Sequence, residues 1–67
     1  MDMKRFLGSE IVIDTAGLRV RGLLQQFDEG FCELASCKTL LAGDSEWSQE
    51  MPVAFIARSA IVLIRPV

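Results

Sequence analysis

The sequence predicts an all-β chain: a short N-terminal helix, then a strongly bent, five-stranded antiparallel small barrel. Three observations predict it. Apolar and polar residues alternate with period two along Leu18-Arg19-Val20-Arg21, as in a half-buried strand. Gly22 interrupts that stretch at the kind of position where a small barrel bends to close. The β-forming stretches are separated by turn residues rather than by helical periods.

Taken in order, residues 2–7 are assigned one or two helical turns ended by Gly8. Ile11-Val12-Ile13 is a β-branched run, and residues 9–14 read as the first strand. Thr15-Ala16-Gly17 forms a turn in which Gly17 is expected to take an unusual backbone angle. Residues 18–27 form the second strand, with its bend at Gly22. Asp28-Glu29-Gly30 fits a three-residue hairpin with Gly30 in the left-handed region. Residues 31–41 form the third strand, and 42–49 a polar loop that holds Trp47. Residues 50–57 form the fourth strand, whose start Pro52 places at an edge. Arg58-Ser59 is a tight turn, and residues 60–65 form the fifth strand, ended by Pro66.

Sixty-seven residues make one domain, residues 1–67. In so short a chain the hydrophobic gain and the entropy cost nearly cancel, so a staple or a partner is expected. There is no His, which removes the common zinc sets, and there are two cysteines, Cys32 and Cys37. On one regular strand their five-residue spacing puts them on opposite faces, about 16 Å apart. A disulfide needs Cα atoms within about 7 Å. Reduced thiols and a cytoplasmic setting are therefore expected. Oligomerisation remains as the staple, and 51% apolar residues suit a subunit that buries its edges in neighbours. The apolar fourth and fifth strands are poorly protected edges, and Val53, Phe55, Ile61 and Leu63 are the candidate interface residues.

The net charge of −2 does not resemble a basic nucleic-acid-binding domain, although a ring concentrates a few arginines around one pore. The longest unbroken apolar run, Ala60 to Ile64, is too short to span a membrane. The N-terminal apolar stretch is too short for a signal peptide. A soluble, unprocessed chain is the expectation.

The order of these features resembles the Sm and Sm-like (LSm) family, including its bacterial relative Hfq. Phe6-Leu7-Gly8, Ile11, Ile13, Gly17, Val20, Gly22, Leu24, Phe27 and Asp28 resemble the family's first motif. Residues 55–64, from Phe55 through Arg58 to Ile64, fall where the second motif sits. The resemblance implies an Sm-like (SH3-type) barrel whose fourth strand pairs with a neighbour's fifth to build a ring. It also implies single-stranded RNA at the pore, held by the loop after the second strand and the turn before the fifth. The family's scaffold pattern is kept, but its usual uridine pocket is mostly lost. Asp28 matches, but Gly30 stands where an aromatic or His stacks on the base, Phe31 where a Met sits, and Cys32 where an Asn reads the base edge. Arg-Gly of the second motif is replaced by Ala57-Arg58, and the Tyr-Lys-His signature of Hfq is absent.

The candidate RNA contacts are accordingly Arg58, Asp28, Phe31, Cys32 and Gly30. Each has a plainer role beside it. Arg58 suits a phosphate or base contact or a solvated ion pair. Asp28 suits a turn cap, and Phe31 a core residue rather than a stacking one. Arg19 and Arg21 suit cross-strand pairs with Glu10, Asp14 or Glu33 better than a basic stripe. Trp47 suits an anchor for a partner protein or a base, or a lid over the barrel edge. No residue set supports catalysis: there is no His base, no activator beside either cysteine and no phosphate loop. No cofactor and no metal are expected.

Two functions follow. One is a homo-oligomeric Sm-like ring binding single-stranded RNA through an altered pocket. The other is a ring-forming structural or protein-interaction module that has lost uridine binding, with Trp47 as its docking residue. A monomeric SH3-like or OB-fold module is weaker, because single-strand binders of that kind display several stacking aromatics.

Overall fold

The β-branched run and the period-two stretches form strands. In the computed structural model, which describes residues 2–67, β1 is Glu10–Thr15, β2 Leu18–Phe27, β3 Phe31–Leu41, β4 Met51–Ala57 and β5 Ile61–Pro66. All neighbours are antiparallel, in the order β4-β3-β2-β1-β5. The sheet curls around one core of Met3, Ile11, Ile13, Val20, Leu24, Cys32, Leu34 and Cys37. β4 and β5 are its two ends and do not pair with each other, so the subunit carries two open edges.

The predicted N-terminal helix shrinks to a single 3-10 turn, Lys4–Phe6. The chain is captured at once by β2. Gly8 N–H donates to Leu24 O at 2.9 Å and Leu24 N–H to Ser9 O at 3.0 Å. Gly8 has φ +79° at this corner, and the buried Met3 side chain pins the segment to the core.

Gly22 does provide the bend. A Cβ there would lie 2.9 Å from Cys37 Cβ, 3.1 Å from Ala35 O and 3.2 Å from Leu34 Cβ. β3 crosses β2 so closely that only a hydrogen fits. The partner strand yields as well. Arg21 faces Lys38 and Leu23 faces Ala35, so Gly22 stands opposite two residues, Ser36 and Cys37. This is a bulge, and Ser36 takes φ +51° within it.

That bulge corrects the expectation for the cysteines. It advances the alternation by one residue, so Cys32 and Cys37 both point inward and are fully buried. Both are free thiols. The left-handed angle expected at Gly30 is also absent, and Gly17 has no positive φ: among the described residues, positive φ occurs at Gly8, Ser36 and Gly43. Side chains close those two turns instead. Thr15 Oγ1 donates to Leu18 O at 2.8 Å, and Asp28 caps its own hairpin. Arg58-Ser59 is the start of a 3-10 turn that runs to Ala60. Among the described residues no helix is long and apolar enough to cross a membrane, and no group of three or more His, Cys, Asp or Glu is placed to hold a metal ion.

Candidate nucleic-acid interface

Two tight connections, thirty residues apart in sequence, meet at one end of the sheet. The first is the β2–β3 hairpin. Asp28 Oδ1 accepts from Gly30 N–H at 2.8 Å and Phe31 N–H at 2.9 Å, and Asp28 N–H donates to Phe31 O at 2.9 Å. An Asp at this position satisfies the turn's donors without any left-handed residue. The second is the Arg58–Ala60 turn between β4 and β5. Arg58 N–H donates to Gly30 O at 2.9 Å, and Arg58 Nη1 donates to Asp28 O at 2.8 Å. The guanidinium also lies over the Phe27 ring, 5.6 Å from its centroid. Arg58 is thus a clasp between the two connections.

The two N–H donors from Phe31 and Gly30, with a smaller contribution from Arg58, hold the Asp28 carboxyl below its ordinary value of 3.8. A carboxylate with a lowered native value stabilises the fold above 3.8 and loses that contribution as pH falls through its own lower value. Acidification should therefore loosen this hairpin before the core. An NMR pH titration should show the Gly30 and Phe31 amide shifts following the Asp28 carboxyl; amides that do not move would contradict the cap.

Of the five candidate contacts, Asp28, Gly30 and Arg58 meet at this junction. Phe31 adjoins it but is not a core residue: it is 53% exposed, because it shares the outer face of β3 with Glu33 and Ala35 while Cys32 and Leu34 take the inner one. Cys32 is the converse correction. Its Sγ is sealed inside, 3.7 Å from Ile56 O, and burial pushes the thiol up, partly offset by Arg58.

Arg19 and Arg21 are engaged in cross-strand ion pairs, with Asp14 at 2.7 Å and Glu10 at 3.2 Å. Trp47 is half-buried along a separate groove with Lys38, Arg21 and Glu50. On the open edges Val53, Phe55 and Leu63 are exposed, whereas Ile61 packs on the core. Val62 is 69% exposed in its place, because β5 slips register where Asp14 faces Leu63 and Thr15 faces Ile61.

Sequence reasoning missed one grouping. Gln26, Glu33 and Phe55 form a row across β2, β3 and β4, and with Phe31 they border an outer cleft of about 320 Å³ beside the hairpin. The alternation of β3 carried the signal, since Phe31 and Glu33 interleave with the inward Cys32 and Leu34.

Solved structures share this fold. A Pyrococcus abyssi Sm protein in complex with a uridine heptamer superposes with a TM-score of 0.82, at 21% identity, over 97% of this chain and 92% of that one. The fold is that of the Sm proteins. A heptameric archaeal Sm protein gives a TM-score of 0.80 at 16% identity, covering 97% of this Sm-like chain and 94% of that one. A chain from the NatC complex bound to CoA gives 0.76 at 14% identity, over 100% and 86%. No family model and no curated protein sequence matches the Sm-like chain.

Proposed function

We propose that this Sm-like chain is a non-enzymatic, cytoplasmic subunit of a homo-oligomeric ring that holds single-stranded RNA near its pore. The observation that carries the reading is the Arg58 clasp, which brings the β2–β3 hairpin and the β4–β5 turn into one surface. The two unpaired edge strands, with exposed Val53 and Leu63, support edge-to-edge assembly. A ring repeats one weak site many times, so affinity rests on avidity. The base pocket is altered. Gly30 offers no ring to stack and the Cys32 thiol is buried, so binding has to draw on other groups around the junction.

Arg58→Ala is expected to weaken binding of labelled oligouridylate by about tenfold or more, as for loss of a charged hydrogen bond repeated in each subunit. Fluorescence anisotropy on a sample of confirmed mass measures this. Unchanged affinity would remove the pore reading as stated.

A second reading, a ring that docks proteins, is favoured by the likeness to a chain of the NatC assembly and by the half-buried Trp47 in its mixed-charge groove. Under it, Trp47→Ala abolishes recovery of a protein partner in a pull-down, and equal recovery argues against that surface.

A further inference from the structure

We infer that the outer cleft bordered by Phe31, Phe55, Gln26 and Glu33 is a base-binding site selective for guanine in single-stranded RNA; this rests on the RNA reading above. Three observations carry it. First, of the three phenylalanines that line the cleft, two are largely exposed within the subunit, Phe31 by 53% and Phe55 by 65%. Exposed rings beside a cleft are stacking platforms for unpaired bases. Second, the cleft measures about 320 Å³, at the small end of the range of about 300–1,000 Å³ for ligand pockets, which suits one base and not a longer segment. Third, its polar lining is strongly accepting. Glu33 Oε1 takes one hydrogen bond, from Gln26 Nε2 at 2.9 Å, and an ionised carboxylate has about four lone-pair sites. Asp28 lines the same cleft.

Acceptors in this arrangement select among bases. Guanine alone presents two adjacent donors, N1–H and the 2-amino group, which fit the two oxygens of a carboxylate. Uracil presents one N–H between two carbonyls, and those carbonyls face the carboxylate unfavourably. Adenine and cytosine each pair one amino donor with a ring acceptor. The Gln26 amide holds the Glu33 carboxylate in place from the neighbouring strand, so the reading group is oriented before the base arrives. Phosphates stay outside this acidic cleft, on the side of the Arg58 clasp.

The test uses the intact oligomer and labelled oligouridylates in which one central uridine is replaced by guanosine, inosine or adenosine, at physiological salt. The guanosine oligomer should bind about tenfold or more tightly than plain oligouridylate, as for one good bidentate base contact. Inosine, which lacks the 2-amino donor, should fall between them. Glu33→Gln should erase the guanosine preference, while Phe31→Ala should weaken all four. Equal binding of all four oligonucleotides would overturn the guanine assignment and leave the RNA reading standing. Binding of none by a confirmed ring would overturn both. A guanosine preference that survives Glu33→Gln, or a fall in oligomer mass on Phe31→Ala, would show that the cleft is not the base site.

Discussion

Gly22→Val should destabilise the subunit by about 3 kcal/mol or more, toward the upper end of overpacking costs. The Cβ alone meets Cys37 Cβ at 2.9 Å, Ala35 O at 3.1 Å and Leu34 Cβ at 3.2 Å. Two of these are Cβ atoms of buried core residues and one is backbone, so no flexible side-chain tip can swing aside. Relief requires β3 to move away from β2 at the bulge, which separates the inward Leu34 and Cys37 from the core. For a chain of this size, a loss on that scale is a large fraction of its total stability. Gly17→Ala is the internal control. Nothing lies within 4 Å of a Cβ at that turn and its φ is not positive, so the change should stay within about 0.5 kcal/mol. Urea unfolding followed by circular dichroism measures both. Equal midpoints for the two variants would contradict the close crossing.

The double substitution Val53→Glu with Leu63→Glu should dissolve the oligomer while the subunit stays folded. Both side chains are exposed within the subunit, so a charge there meets no core atom. They lie on β4 and β5, the two strands that end the sheet. Assembly through those edges would bury the two carboxylates near one another, and unpaired charges are strongly unfavourable at a buried interface. The expected result is an unchanged circular dichroism spectrum and a fall in sedimentation mass to that of one subunit, 7.4 kDa. A mass that does not change would place the contacts on another surface.

The succession of strands along the chain is legible in the sequence because period-two alternation and the β-branched run at Ile11-Val12-Ile13 are local signals, and because Asp28 and Thr15 are ordinary turn formers. The sharpest bend is legible as well, since a lone glycine within a strand marks a bulge or a close backbone approach, and Gly22 has both. What alternation does not reveal is the point at which it is broken. Ser36 gives no compositional hint of a positive φ, yet its bulge decides which face Cys37 occupies. Phe31 shows a related limit. Counting from the inward Cys32 and Leu34 places Phe31 outside, but its bulk and the apolar residues around it argue for the core. The candidate site is half legible. Asp28 and Arg58 stand out separately, while the clasp between them and the row Gln26–Glu33–Phe55 depend on strand register, which tertiary packing sets.

The most direct test of the central claim is sedimentation equilibrium of the wild-type chain, alone and with labelled oligouridylate at physiological salt. The account predicts a single species whose mass is a multiple of 7.4 kDa, and the RNA label sedimenting with it. A mass of one subunit, with the label left free, would contradict it.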